Sequence, residues 1–411
     1  MRVLALLGLG LGLAGVSAGA CGSDGGDGSS SGSTSDGGGV LPDGAVDPAA
    51  DAGDAGDAGM CPPAPTKVVD AFAGSLDVSG DEVVFMDLGG GGEFLSATDR
   101  TGTVRKVKLD GTGDTVLYTA LAKHQINDVK TVGSTVFLLE SERDEFGNEA
   151  TTLFSMPVSG GTPTAVGKHV DPTVGLDFDR LDAIITADAD SVFVVRGAAT
   201  GEGSLWRFAI AGGAESLIYR GAINSKPQKV GGDFYFLSSA IPSGQVNFDS
   251  VVKVPATGGD PVAIGTAICR GDLTAGTFGL LCAGSGETTT SSKLSHWDLG
   301  GAGHSVIFSL PTSGQSVYIG PSDGTSVYVE SSVREGTKTS LFKAPLAGGP
   351  PTVIACNREE ITRRKTFAGS GSNGAYVSEL DMVMTPSELV WTETRKEPGM
   401  PHTIGIYRTA R

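Results

Sequence analysis

Seven short apolar runs recur from Asp81 to the end of the chain: Val83 to Phe85, Val136 to Leu138, Val192 to Val194, Phe234 to Phe236, Leu280 to Leu281, Val327 to Val329 and Leu389 to Trp391. A second run follows each, from Val104 to Leu109, Leu153 to Val158, Leu205 to Ile210, Val251 to Ala256, Leu294 to Leu299, Leu341 to Leu346 and Ile406 to Arg411. Most second runs end in a Gly-containing turn. Aligned there, Thr112, Gly161, Gly213, Gly259, Gly301 and Gly349 stand 49, 52, 46, 42 and 48 residues apart. Short β-rich runs at this period fit four-stranded blades, and the pattern predicts an all-β fold, a β-propeller of seven blades.

A third run follows most turns, as in Thr115 to Tyr118, Ser216 to Tyr219, Ser305 to Phe308 and Pro351 to Ile354. The last copy stops at Arg411 without one, while Thr66 to Val69 stands alone before the first copy. The ends complete one another: the N-terminal run is expected to supply the outermost strand of the C-terminal blade. Such closure removes strand edges that invite aggregation.

The segments Ser191 to Val195, Ser204 to Gly213 and Ser216 to Tyr219 resemble blades of the TolB-like and YWTD-like propeller superfamilies, and Val390-Trp391-Thr392-Glu393 comes closest to the YWTD motif. The resemblance covers residues 63–411. It implies the fold and, by analogy, a binding role in the periplasm or outside the cell; these motifs occur in proteins of many functions.

Three segments are expected: a signal peptide over 1–20, a tether over 21–62 and the propeller over 63–411. Met1-Arg2 and the apolar stretch to Val16 have the length of an export signal and fall short of a membrane span. Ala18-Gly19-Ala20-Cys21 resembles a bacterial lipobox, which implies a lipid on Cys21 and, since no Asp follows it, an outer-membrane address. Ordinary signal-peptidase cleavage after Ala20 is the alternative, and it gives a secreted protein. The stretch after Cys21 is Gly, Ser, Ala and Asp with few apolar residues, the composition of a disordered spacer.

Net charge is −17, of which Arg2 supplies one positive charge and eight tether Asp residues eight negative ones, leaving −10 for the propeller. Such a surface repels phosphate backbones, so nucleic acid is not an expected partner. A soluble, monomeric domain meeting a protein or glycan is expected instead.

Four Cys remain besides Cys21. A two-residue hairpin turn at Ala275-Gly276 would set Cys269 opposite Cys282, leaving Cys61 to bridge Cys356 and pin the tether to the ring. Free buried thiols are the alternative. Zinc is not expected, because no C-x-x-C spacing occurs.

Connections on one face are short, at Val78 to Asp81, Val132 to Ser134, Gly231-Gly232 and the Gly turns. Those on the other face are long: 88–102, 141–151, 197–203, 238–248, 284–292, 333–338 and 394–403, joined by the link 357–374. Long loops on a rigid scaffold are where recognition residues collect. Along the predicted innermost strands lie His124, Asn127, Asp128, Asp177, Asp179, Arg180, Asp182, Asn224, Lys226, Arg270 and Asp272. Of these, His124, Asp128, Arg180, Asp182, Lys226 and Arg270 are the candidate binding residues. Carboxylates converging on the axis would suit Ca²⁺, as in some lactonase-like propellers, and give a metal-dependent lactonase or hydrolase as the second functional reading; no fixed motif requires a cofactor. Asp188 and Asp190 are expected to bond their own turn. Gly284-Ser285-Gly286 lacks the context of a nucleophile elbow. Arg358 to Lys365 carries acidic and basic residues at helical spacing and predicts one short helix.

Overall fold

The computed structural model describes residues 61–71, 73–87, 102–122, 124–143, 149–171, 183–197, 203–238, 249–269, 272–283, 293–309, 315–333, 339–358, 360–361, 363–368, 376–397 and 400–411. All belong to one compact unit, Asp47–Arg411. The expected signal peptide, nearly all of the expected tether, and Cys21 lie outside the described residues.

Seven antiparallel four-stranded blades account for the repeats, the last of them extended by a fifth short strand. After β1 (Thr66–Val69), the first blade is β2 (Ala73–Ser79), β3 (Glu82–Asp87), β4 (Thr103–Lys108) and β5 (Thr115–Thr119). The second is β6 (His124–Val132), β7 (Thr135–Arg143), β8 (Glu149–Pro157) and β9 (Thr164–Asp171); the third is β10 (Ala183–Ala187), β11 (Ser191–Gly197), β12 (Gly203–Ala209) and β13 (Ser216–Gly221). The fourth is β14 (Gln228–Val230), β15 (Asp233–Ser238), β16 (Asp249–Pro255) and β17 (Val262–Cys269); the fifth is β18 (Leu273–Gly276), β19 (Gly279–Ala283), β20 (Lys293–Trp297) and β21 (Ser305–Ser309). The sixth is β22 (Gln315–Ser322), β23 (Ser326–Val333), β24 (Thr339–Pro345) and β25 (Thr352–Arg358). Then come β26 (Glu360–Ile361), β27 (Arg363–Ala368) and β28 (Tyr376–Leu380), and the seventh blade is built from β29 (Met382–Met384), β30 (Glu388–Glu397), β31 (Met400–Ala410) and β1. Thr66 pairs with Arg408 and Val69 with Ile406, so the N-terminal run closes the ring as the outermost strand of the last blade.

The second strand of each blade is covered by a neighbouring blade on both faces, which explains why the strongest runs are continuous rather than alternating. Val83 to Met86, Val136 to Leu139, Val192 to Val195 and Phe234 to Leu237 are all buried. Seven hydrophobic clusters result, one between each pair of neighbouring blades; Phe193, Ile218, Phe234 and Phe236, for instance, meet between the third and fourth.

A β-bulge recurs between the third and outermost strands of all seven blades. In six of them the extra residue is a single apolar one: Leu117, Val166, Ile218, Ile307, Ile354 and Val68. In the fourth blade the irregularity is wider and begins at Ile264. Each of these residues packs into the next blade's cluster, while the residue before it stays at the rim, with Val116, Leu217 and Val306 exposed. A bulge lets two successive residues face the same cluster, as Ile218 and Tyr219 or Ile307 and Phe308 do, and it bends the outer edge away from further pairing.

Three expectations are corrected. The hairpin in the fifth blade turns at Thr277-Phe278, so Cys282 stands opposite Leu273, and Cys269 ends β17 opposite Asp249. Gly276 pairs with Gly279 there; that turn was hidden because Ala275-Gly276 reads as the more obvious two-residue loop. The expected helix from Arg358 to Lys365 is instead the end of β25 followed by β26 and β27, because pairing with β30 and β28 outweighs weak helical charge pairs. Finally, 141–151 and 394–403 are mostly strand: β7–β8 pairs as far as Arg143 with Glu149, and β30–β31 as far as Glu397 with Met400.

The expected Cys61–Cys356 bridge is present, with Cα atoms 6.0 Å apart. Cys282 is also disulfide-bonded; the side chain of Cys269 lies outside those described.

Candidate functional site

The innermost strands β2, β6, β10, β14, β18, β22 and β29 surround the axis and enclose a cavity of about 370 Å³. Its walls are apolar at Leu76, Val129, Ile185, Leu273, Ile319, Met382 and Met384 and charged at Asp77, Lys130, Lys226, Asp272 and Asp381.

One position on these strands recurs. Ser75 pairs with Met86 and Asp128 with Leu139. Asp272 and Asp381 occupy the equivalent place just before β18 and β29, where their carbonyls accept the amides of Ala283 at 3.0 Å and Thr392 at 3.2 Å. In the fourth blade Ser225 Oγ accepts the Leu237 amide at 2.8 Å. A short oxygen-bearing side chain here can bond a backbone amide that the neighbouring blade leaves open.

Asp128 shows the consequence. It is 1% exposed; its Oδ1 accepts the Ser75 hydroxyl at 2.8 Å and the Val129 amide at 2.7 Å, and its Oδ2 accepts the Ile184 amide at 2.7 Å. One carboxylate therefore joins β2, β6 and β10. Asp77 accepts the Thr131 amide at 2.8 Å and pairs with Lys130 Nζ at 3.1 Å. Asp381 accepts the Leu76 amide at 3.1 Å and the Thr392 hydroxyl at 2.7 Å. These bonds cross three successive joints, from blade seven to one, one to two, and two to three.

A second set of polar groups ends the second strands, toward the long loops. Glu140, buried, accepts from Tyr118 Oη of the preceding blade and meets His124 Nδ1 at 2.5 Å; His124 Nε2 lies 3.5 Å from Glu142, which Lys168 approaches at 3.0 Å. Burial, reinforced by the bond to Glu140, pushes the Tyr118 hydroxyl's pKa well up. Glu393 is the counterpart at the sixth joint: Arg358 Nε and Nη2 reach its two oxygens at 2.6 and 2.9 Å, and Trp391 Nε1 donates to it at 3.0 Å. At this level Arg196 lies over the rings of Trp206 and Phe208.

Of the sequence candidates, Lys226 lines the axial cavity. Asp128 and His124 are not among its lining residues; Asp128 is bonded into the blade joints and His124 sits with Glu140 at the second level. Arg180, Asp182 and Arg270 lie outside the described residues, as do Asp177, Asp179 and Gly284-Ser285-Gly286. Asp188 Oδ1 accepts the amides of Asp190 at 3.1 Å and Ser191 at 2.9 Å, as its turn position predicts. His296 Nε2 bonds the Phe278 carbonyl at 2.7 Å, and His304 stacks on Trp297. Among the described residues no group of three or more His, Cys, Asp or Glu is placed to hold a metal ion. Sequence reasoning missed Asp77, Asp381, Glu140 and Glu393. The available signal was recurrence: a polar residue repeated at one register position in successive blades points to the joints all blades share, whereas a site needs its chemistry once.

No protein-family model matches the chain, and no curated protein matches it. Solved structures do. The β-propeller domain of the Trilobed protease from Pyrococcus furiosus, described as having an open velcro topology, matches 82% of this chain and 98% of its own length at 12% identity, with a TM-score of 0.50. An oligogalacturonate lyase from Vibrio parahaemolyticus matches 78% of this chain and 80% of its own at 13% identity, with a TM-score of 0.42. The chain spans 61% of the length of a prolyl endopeptidase it also resembles, at 10% identity and a TM-score of 0.41. Identities this low carry the architecture alone, and by architecture the chain is a seven-bladed β-propeller, closed where β1 joins β31.

Proposed function

We propose that this protein is a tethered binding module of a bacterial cell envelope, exported by its N-terminal signal, held at the outer membrane through a lipid on Cys21, and engaging a protein or glycan through its long-loop face. The observation that carries this reading is the commitment of the axial carboxylates. Asp77, Asp128 and Asp381 each accept a backbone amide across a blade joint. An oxygen that already holds a blade in place serves assembly, which favours a rigid scaffold over a Ca²⁺-dependent catalyst. The paired strands β7–β8 and β30–β31 support the same face as the contact surface: they run toward the long loops as far as Arg143 with Glu149 and Glu397 with Met400, and β30–β31 continues past its blade's other pairings.

Photo-crosslinking in the native envelope tests this. A crosslinkable residue in place of Glu145 or Pro398, which the sequence puts between the two strands of each pair, should give specific adducts, and one in place of Gly232 on the tight-turn face should give none. Adducts only at Gly232 would sink the choice of face. Thermal melting of the full chain with EDTA and then Ca²⁺ separates the two functional classes: an unchanged midpoint is expected, and a fall on chelation reversed by calcium would favour the metal-dependent enzyme.

A further inference from the structure

Six of the seven outermost strands are continuous with their own blade's third strand through a tight turn, but β1 enters the seventh blade from the other end of the chain. Its own hold is small. It has four residues and a bulge between Lys67 and Val69; Thr66 and Lys67 are exposed, and only Val68 is buried, against Leu76, Phe85, Val390 and Ile406. The Cys61–Cys356 bridge supplies what the missing hairpin would, since Cys61 stands just before β1 and Cys356 lies in β25 of the neighbouring blade. A covalent link keeps the strand at high effective concentration beside its partner. The bridge is also reachable: Cys61 is exposed and Cys356 half-buried, whereas Cys282, also disulfide-bonded, is 1% exposed. Exposed disulfides exchange with thiols faster than buried ones.

We propose that Cys61–Cys356 is a redox latch on ring closure: oxidised, it keeps β1 in the seventh blade, and its reduction by a small dithiol releases β1 and uncovers the edge of β31. The dithiol supplies two electrons and two protons, the S–S bond breaks to give two thiols on Cys61 and Cys356, and the dithiol closes to its own disulfide. What is uncovered is the edge of β31 from Ile406 to Arg408, over the apolar cluster that holds Val390 and Ile406, a template for pairing with another extended chain.

Hydrogen exchange on the full chain before and after dithiothreitol treatment, with alkylation and mass spectrometry to follow each cysteine, tests the latch. Cys61 and Cys356 should alkylate before Cys282. At that stage the amides of Thr66–Val69 and of β31 around Ile406 to Arg408 should exchange at least tenfold faster, with blades three and four unchanged. A Cys61→Ser variant should show the same local pattern without reductant. Unchanged protection of β1 in the reduced protein would overturn the proposal. So would faster exchange throughout the ring, which would make the bridge a global staple, or alkylation of Cys282 first.

Discussion

The Asp381 carboxylate of the last blade accepts the Leu76 amide of the first at 3.1 Å, so the ring is closed at its axis as well as at the rim, where β1 joins β31. The two closures differ in kind. The rim closure is a strand pairing that covers an edge, and the axial one is a charge-assisted hydrogen bond that satisfies an amide a β-ladder leaves open. Hydrogen bonds to charged groups contribute about 1.5–3 kcal/mol each, more than neutral ones.

Asp128 is the strictest test of that axial arrangement, because its two oxygens serve three blades. Asp128→Ala removes the acceptor of the buried Ile184 amide and leaves the Ser75 hydroxyl to the Val129 carbonyl at 3.3 Å, and should cost about 3–5 kcal/mol in denaturant unfolding. Asp128→Asn keeps one carbonyl oxygen and should recover part of the loss. Equal stability of Asp128→Ala and the parent would remove the carboxylate from the account of blade assembly.

At the outer level, Glu393 has no exposed surface and carries a two-pronged bond from Arg358 as well as the Trp391 indole. Glu393→Gln leaves a guanidinium facing a neutral amide, and breaking such a buried pair costs about 3–5 kcal/mol. The Lys106–Glu82 pair, 2.8 Å long and better exposed, is the comparison: Glu82→Gln should cost less than about 1 kcal/mol. Urea midpoints for both variants check the ordering.

The blade count and the closing strand were legible because burial on both faces leaves an unmistakable apolar run in each second strand, and because Thr66 to Val69 had no other partner. Leu273 opposite Cys282 was not legible, since a one-dimensional turn signal at Ala275-Gly276 competes with a true turn at Thr277-Phe278 that carries no strong turn residue. Arg358 shows a different limit. The charges just after it, Glu359 and Glu360 four residues before Arg363 and Arg364, have helical spacing, yet Arg358 itself pairs with Glu393, far along the chain and on another blade. Asp128 was legible as polar and near the axis; that it faces an amide rather than a ligand follows from the blade beside it.

Gly405 stands where β1 meets β31. Its φ is 145°, and a Cβ there would lie 2.6 Å from the Val69 carbonyl oxygen, a backbone atom of β1. Gly405→Ala should therefore weaken the docking of β1 and cost about 2–3 kcal/mol, combining steric and backbone strain. Gly231, with φ 59° and open space around it, isolates the backbone contribution, and Gly231→Ala should cost about 1 kcal/mol. Thermal melts of the pair, with hydrogen exchange at Thr66–Val69, separate a general glycine effect from a loosened first strand.

Asp323 makes stability depend on acid in a defined window. Burial alone would raise its carboxyl, but the Thr325 hydroxyl at 2.7 Å, the amides of Thr325 at 2.9 Å and Ser326 at 2.7 Å, and nearby Lys343 together outweigh it and hold the pKa down at about 2. An unfolded Asp titrates near 3.9, so between about pH 4 and pH 2 the unfolded chain binds the proton that the native state refuses. Its contribution is fully present above about pH 4 and is lost as pH falls toward 2. Urea midpoints measured from pH 5 to pH 2.5 should fall less steeply in Asp323→Asn than in the parent, with the two curves converging at the acid end. Parallel curves would mean that the turn between β22 and β23 holds its shape without the charge.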